Sequence, residues 1–354
     1  MDLSEGLNAG QIEAMSNTEG PLLVIAGPGS GKTHTLVRRT LSIIEKGLAR
    51  PEEIVLCTFT DKAALELRDR TRNDAAKFGM PHDLSGLVVG TIHGIANDFI
   101  EKFRHKTQLG NNFQVLDDLT KKLFINDVFE EIVEGFESES PKNDDRLQWF
   151  KKWNTKWSTI DGMSDYFDRI AEELLDLDEL KGSEDELVAS LAVAYQRYRG
   201  LLIEKNCVDF SHQQVFFLDL LNSTTEGDQV KRSIKYVMVD EYQDTNYVQE
   251  QLVFALSSAS KNLCVVGDED QSLYRFRGAT VRNILEFPAR QPGCKEVKLS
   301  INYRSHSRIV SAYDTYMRNH DWSDPSGAQF RFDKTIVPNP NEVFSHYPSV
   351  IKVM

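Results

Sequence analysis

Six short apolar runs, each bounded by turn-forming or polar residues, punctuate the chain: 22–26 (LLVIA), 53–60 (EIVLCTFT), 86–93 (GLVVGTIH), 234–241 (IKYVMVDE), 262–270 (NLCVVGDED) and 295–305 (KEVKLSINYRS). Helical periodicity fills several of the intervals, notably 33–46 and 61–77. Continuous apolar strands alternating with helices predict a parallel sheet covered on both faces, because such strands are buried on both sides and need crossovers to connect them. The alternation lapses between about 105 and 215, where the pattern predicts mostly helix. Two amphipathic stretches there, LTKKLFINDVFEEIV and DELVASLAVAYQRYRGLLIEK, are separated by the break ESESPKNDDR. The simplest arrangement is a helical subdomain inserted between two strands of one sheet.

Composition adds boundaries to this picture. A chain of 354 residues, 40% hydrophobic and 27% charged, is long enough for two or three globular domains. No apolar run reaches the roughly 18 residues of a membrane span. The start MDLSEGLNAGQIEAM has neither the basic beginning nor the apolar core of a signal peptide, so a cytoplasmic location and no membrane partner are expected. Cys57, Cys207, Cys264 and Cys294 show no CxxC spacing; Cys57 and Cys264 sit inside strand-like runs and read as small buried hydrophobes, with neither disulfide nor structural metal expected. The net charge of −13 weighs against a nucleic-acid partner, yet a whole-chain sum leaves room for a locally basic or aromatic groove. The window 161–190, with eleven acidic residues against Arg169 and Lys181, reads as a solvated face unsuited to DNA.

The first run leads into Ala26-Gly27-Pro28-Gly29-Ser30-Gly31-Lys32-Thr33 and then a helical pattern. This is the P-loop spacing G-x-x-x-x-G-K-[ST] with alanine in place of the first glycine. Glycines let the backbone curl so that successive N–H groups face a phosphate, and the following helix adds its N-terminal partial positive charge. Lys32 is placed to reach the β and γ phosphates of ATP, and the Thr33 hydroxyl to ligate Mg²⁺. P-loops serve kinases, switches, transporters and motors alike, so the stretch predicts a nucleotide without its use.

IKYVMVDE supplies the carboxylates such a site needs. Asp240 would hold Mg²⁺ directly or through water, and Glu241 would orient and deprotonate the attacking water. An Asp-Glu pair favours hydrolysis over transfer to a substrate hydroxyl. In VVGDEDQSLYRFRGA, 265–279, Gln271 is suited to sensing a γ phosphate. Tyr274 and Phe276 alternate there with Arg275 and Arg277. That interleaving suits single-stranded nucleic acid, where each stacked base is worth about 1–3 kcal/mol, although core aromatics with arginines at their rim give the same local pattern.

Taken in order, VDEYQDTN, VVGDEDQSLYRFRGA and LSINYRSH resemble the UvrD/Rep family of superfamily 1 DNA helicases, as do AGPGSGKT, LNAGQIEAM, LCTFTDKAALELRDR (56–70) and GTIHGIANDFI (90–100). The likeness is close over about 7–100 and 205–310 and positional only in the helical insertion. It implies an α/β fold, a RecA-like P-loop NTPase parallel sheet with an inserted all-helical subdomain and the start of a second RecA-like domain. The implied division is 1–104 and 209–288 for the first domain, 105–208 for the insertion and 289–354 for the second domain. ATP and Mg²⁺ as cofactors, single-stranded DNA and single-/double-strand junctions as partners, DNA-dependent hydrolysis and 3′ to 5′ movement come with the resemblance. By the same resemblance Gln11 would bond the adenine edge, Tyr303 would stack on the base, His34 would join Gly27 to Thr33 around the nucleotide, and Arg304 would place its guanidinium on the γ phosphate. Phe59, His93, Tyr274 and Phe276 would line the single-strand track, with Arg277 linking it to the ATP site.

The sequence departs from the family pattern at Phe276, where tryptophan is common, at His34, where arginine is common, and at Gly94, where serine is usual. Nothing after NYRSH resembles the family's later motifs. The expectation is therefore an N-terminal portion of a longer helicase, with the C-terminal helicase domains as missing partners and little unwinding of its own. A non-catalytic DNA-binding subunit would be expected to lose some of Lys32, Asp240, Glu241 and Arg304, all of which are present. A P-loop kinase or switch leaves QSLYRFRGA and NYRS without a purpose.

Overall fold

A computed structural model describes residues 2–80, 83–110, 112–134, 155–272, 281–323, 325, 327 and 329–341. The strands are β1 (Leu22–Ala26), β2 (Ile54–Thr58), β3 (Val88–Thr91), β4 (Gln114–Leu116), β5 (Cys207–Asp209), β6 (Tyr236–Val239), β7 (Leu263–Gly267), β8 (Lys295–Leu299), β9 (Ile301–Asn302) and β10 (Val337–Pro338). The helices that matter most for the site are α1 (Ala9–Ser16), α2 (Lys32–Glu45), α3 (Asp61–Lys77) and α4 (Ile92–Lys102). Two compact units result, one of Met1–Ile95, Asp228–Asn246 and Val253–Met354, the other of Ala96–Gly227 and Tyr247–Leu252.

The first unit is built on a six-stranded sheet in the order β3-β2-β6-β7-β1-β8, every pairing in it parallel. All six predicted apolar runs are its strands. Position in the sheet follows from residue pattern: β1, β2, β6 and β7 are buried at every residue, whereas β8 (KEVKL) buries only Val297 and Leu299 and β3 buries alternate residues. A strand covered on both faces must be apolar throughout, while an edge strand can afford charges and is protected by them. Lys295–Leu299 pairs with β1, so the chain beyond 288 contributes the edge of this sheet. The result is a RecA-like α/β sheet.

Helix α1 is fixed to this core by an arginine. Arg39 on α2 is almost fully buried and donates from Nη1 to the carbonyls of Ala14 (2.7 Å) and Asn17 (2.5 Å). Those carbonyls lie at the C-terminal end of α1, where a helix leaves its acceptors unpaired and a cation is favoured. Cys57 and Cys264 are 1% exposed, and burial pushes the Cys57 thiol up to about 12.

The second unit is mostly helical, with helices Asp118–Asp127, Lys156–Glu172, Glu186–Glu204 and Phe210–Ser223. In addition to the predicted helices it carries a short parallel ladder, β4 with β5, pairing Gln114 with Cys207 and Leu116 with Asp209. Asp209 closes that ladder and opens the next helix. It accepts from the His212 backbone N–H at 2.7 Å, the His212 ring at 2.8 Å and the Tyr198 hydroxyl at 2.7 Å. Phe167 stacks on Tyr198 at 4.9 Å between ring centroids.

Candidate nucleotide site

In an open parallel sheet, the chain leaves every strand at the same edge, and that edge is where ligands are held. The P-loop leaves β1 there, Asp240 and Glu241 leave β6, Asp268 to Gln271 leave β7, and Tyr303 and Arg304 follow the short strand after β8. Residues separated by more than 200 positions are thus delivered to one place by topology.

The P-loop is held from outside by its carbonyls. Gln11 Nε2 donates to Ser30 O at 3.0 Å, Asn302 Nδ2 to Pro28 O at 2.7 Å, and the Tyr303 backbone N–H to Gly29 O at 2.9 Å. Gly29 and Gly31 have φ of 68° and 83°, which glycine alone adopts at little cost. A Cβ on Gly29 would stand 2.7 Å from both Arg304 Cβ and Asn302 Oδ1, and one on Gly31 2.8 Å from Gln11 Nε2. The glycines therefore serve two ends, the positive φ and the close approach of these clamps. Gln11 is 3% exposed and has both amide atoms engaged, since its Oε1 also accepts from Asn8 N at 3.0 Å. Asn8 Nδ2 donates to the Tyr303 hydroxyl at 2.8 Å, which brings Gln11 and Tyr303 to one side of the loop. Tyr303 itself is exposed.

Opposite the loop, Lys32 Nζ lies 2.6 Å from Glu241 Oε2 and Thr33 Oγ1 donates to Asp240 Oδ2 at 2.8 Å. Glu241 has φ of 53°, a left-handed turn immediately after β6 that directs its carboxylate back toward Lys32. Burial, reinforced by the charge of Glu241, pushes the Asp240 carboxyl up to about 6 against the opposing pull of Lys32 and Thr33. Gln243 then ties the pieces together: its Nε2 donates to Glu241 Oε2 at 2.9 Å and its Oε1 accepts from Asp268 N at 3.0 Å.

Asp244 is a further acid in this cluster. Burial first, then the charge of Glu241, pushes its carboxyl up to about 7. A carboxyl whose folded value lies above its unfolded one favours the fold when protonated, so its penalty appears as pH rises from about 4 and is complete above about 7. Asp244→Asn is accordingly expected to gain stability relative to the parent protein across that interval and to hold the gain at pH 8. Urea denaturation at pH 5 and pH 8 checks it, and an equal effect at both would contradict the assignment.

At the end of β7, Gln271 Nε2 is bonded to Asp268 Oδ2. Phe59 and His93 are half-buried at the ends of β2 and β3. His93 Nε2 lies 3.3 Å from Thr91 Oγ1, and burial holds its imidazole below the usual range. His34 is likewise held down by burial and then by Arg38, with Asp74 3.9 Å away. Gly94 acquires a reason here: its N–H donates to Thr91 Oγ1 at 3.2 Å, and a Cβ at this position would stand 2.9 Å from that oxygen. Tyr274 and Phe276, with Arg275 and Arg277, lie outside the described residues.

Sequence reasoning missed Asn302, Gln243, Asp244 and Lys334. The first three lie inside stretches it singled out, but as side chains that brace the loop and the carboxylates. Lys334 comes from a tail that showed no motif.

The family model for the UvrD/REP helicase N-terminal domain matches residues 7–292. YjcD of Bacillus subtilis strain 168 is 32% identical over 319 residues, 90% of this chain and 39% of YjcD. PcrA of Staphylococcus aureus strain Mu50 is 31% identical over 323 residues (91% of this chain, 41% of PcrA), and PcrA of Leuconostoc citreum 32% identical over 325 residues (90% and 40%). Both PcrA proteins are named ATP-dependent DNA helicases. The chain belongs to the UvrD/REP helicase family, and it spans about two-fifths of the length of these relatives.

Proposed function

We propose that this chain binds ATP with Mg²⁺ and hydrolyses it in response to single-stranded DNA, as the ATP-binding part of a helicase motor. The observation that carries the reading is the pairing of P-loop and strand-end carboxylates, Lys32 with Glu241 at 2.6 Å and Thr33 with Asp240 at 2.8 Å.

The donor set fits Mg²⁺. Thr33 Oγ1 and Asp240 Oδ2 are adjacent hard oxygens, and a buried Asp240 beside Glu241 is a carboxylate in need of a cation. Thr33 and Asp240 would hold the ion, which when bound neutralises charge developing on the phosphates. The protein's own groups do the rest. Backbone N–H groups of Gly29 to Thr33 cradle the phosphates, and Lys32 exchanges its Glu241 partner for a phosphate oxygen. Glu241, so released, takes a proton from the attacking water, while Gln271 orients that water and Arg304 meets the γ phosphate. Tyr303 supplies the exposed ring for the base. Gln11 first clamps Ser30 and reaches a base edge by giving up one of its two bonds.

Phe59 and His93 stand at the same sheet edge as the nucleotide residues, which suits a DNA track coupled to the fuel site. The proposed DNA is single-stranded or a single-/double-strand junction, with 3′ to 5′ movement. Movement requires two domains that close and open on the nucleotide. The second grip is proposed to come from further helicase domains, as the resemblance to the UvrD/Rep family implies.

The test is ATP turnover by the chain with and without a single-stranded oligonucleotide, beside Lys32→Ala. DNA-stimulated turnover that Lys32→Ala abolishes is expected. Turnover that persists in Lys32→Ala, or phosphate transfer to a small acceptor independent of DNA, would overturn the reading.

A further inference from the structure

Asp268, Glu269 and Asp270 follow β7 and lead directly to Gln271. Their counterion comes from far along the chain. Lys334, itself buried, places Nζ 2.5 Å from Asp268 Oδ1, 2.8 Å from Glu269 Oε2 and 3.2 Å from Asp270 Oδ2. Arg331 Nε stands 2.9 Å from Asp270 Oδ1, the Tyr313 hydroxyl donates to Asp270 Oδ2 at 2.6 Å, and Phe332 N donates to Glu269 Oε1 at 3.0 Å. The segment carrying these groups is fixed beyond Lys334 as well. Ile336 N donates to Asp314 Oδ1 at 3.0 Å, β10 pairs with β9, and Ile336 Cδ1 would lie 2.2 Å from a Cβ on Gly27.

A desolvated cluster of charges is a poor source of stability, because the cost of burying the ions offsets much of their attraction. Its geometry serves another purpose. One Asp268 oxygen meets Lys334 and the other holds the Gln271 amide, while the Asp268 N–H is bonded to Gln243, which reaches Glu241. Lys334 thus stands one residue from Gln271, through Asp268, and two from Glu241, through Asp268 and Gln243.

We propose that Lys334 is a positioning residue for hydrolysis: by pairing with the three carboxylates it keeps Asp268 aimed at the Gln271 amide, and through Asp268 and Gln243 it steadies Glu241. The proposal rests on the reading that this site hydrolyses ATP. The groups facing Lys334 are Asp268, Glu269 and Asp270 from the end of β7; Tyr313 of helix Ser307–Arg318 and Arg331 of its own segment join the cluster through Asp270, and Asp314 of the same helix holds Ile336 N. Without Lys334 the three carboxylates are left, among the described residues, with Arg331 as their one cation, so a proton must be taken up or a side chain must turn away. Burial already raises the Glu269 carboxyl even with Lys334 present. Either response loosens Gln271.

The experiment compares the full chain with Lys334→Met, Lys334→Arg and the double variant Lys334→Met/Glu269→Gln. The readouts are the ¹⁵N-detected side-chain amide of Gln271, assigned with Gln271→Ala, and the kcat and KM of ATP turnover at pH 6 and pH 8. In Lys334→Met the Gln271 amide protons are expected to lose protection from exchange. Displacement of a reacting group by about 1 Å costs up to about 100-fold, so kcat falls by up to that factor with KM little changed. The loss should be smaller at pH 6, where a proton stands in for the ammonium, and partly reversed by Glu269→Gln or by Lys334→Arg. Unchanged Gln271 signals, or kcat per folded molecule equal to the parent protein, would overturn the proposal. Should the parent chain fail to turn over ATP, the functional reading falls by itself and the amide signal still decides the role of Lys334.

Discussion

Arg304→Ala is expected to lower ATP turnover by about 10³- to 10⁵-fold, the range over which arginine fingers act on phosphoryl transfer. The structure supplies the anchorage for such a group. The Arg304 backbone N–H donates to Asn302 Oδ1 at 2.8 Å, Asn302 Nδ2 donates to Pro28 O at 2.7 Å, and Gly29 leaves room for Arg304 Cβ. The base of the arginine is therefore fixed to the P-loop, while its side chain remains exposed. Charge accumulates on the γ phosphoryl oxygens only as the reaction proceeds, so the loss belongs in kcat and nucleotide affinity should change little. Arg304→Lys should restore only part of the rate, because an ammonium cannot present the planar two-pronged donor. Single-turnover kinetics beside equilibrium binding checks both statements; equal losses in binding and rate would show that Arg304 holds the nucleotide and does no more.

Glu241→Gln is expected to cost about 10²- to 10⁴-fold in turnover, the contribution of a positioned general base. The substitution keeps the volume and an oxygen for Gln243 but cannot accept the proton of water. It also removes the carboxylate that Lys32 contacts at 2.6 Å. Lys32 then loses the anion that competes with phosphate for it, and nucleotide affinity should be unchanged or tighter. A variant that binds ATP and turns it over at the parent rate would place the base elsewhere in the cluster.

Glu241 and Lys32 were legible because each lies in a short contiguous stretch whose spacing has a mechanical meaning, whereas Arg304 came only with the family resemblance, NYRS having no such spacing of its own. AGPGSGKT specifies a turn and its charge, and YVMVDE specifies a strand and the acids at its end. The edge position of β8 was also readable in principle, since KEVKL alternates charges with Val297 and Leu299. Other features were hidden for physical reasons. β4 and β5 are three residues each and pair across some ninety positions, so neither shows a period of its own. Asn302 appears in NYRS as one more polar residue, and only the fold reveals that its amide holds the P-loop at Pro28. Gln11 reads as a ligand contact, yet its amide bonds Ser30 and Asn8. Lys334 contacts Asp268 across 66 positions, and RFDKTIVP carries no spacing that announces a buried cation.

The central claim is that the P-loop and the carboxylates after β6 form one nucleotide site. It is tested most directly by titrating the chain with Mg·ATP and following binding in the parent protein and in Lys32→Ala. A charged hydrogen bond contributes about 1.5–3 kcal/mol, so saturable binding that weakens about 10- to 100-fold in Lys32→Ala is predicted. Failure of the parent chain to bind, or equal affinity in the two proteins, would contradict the account.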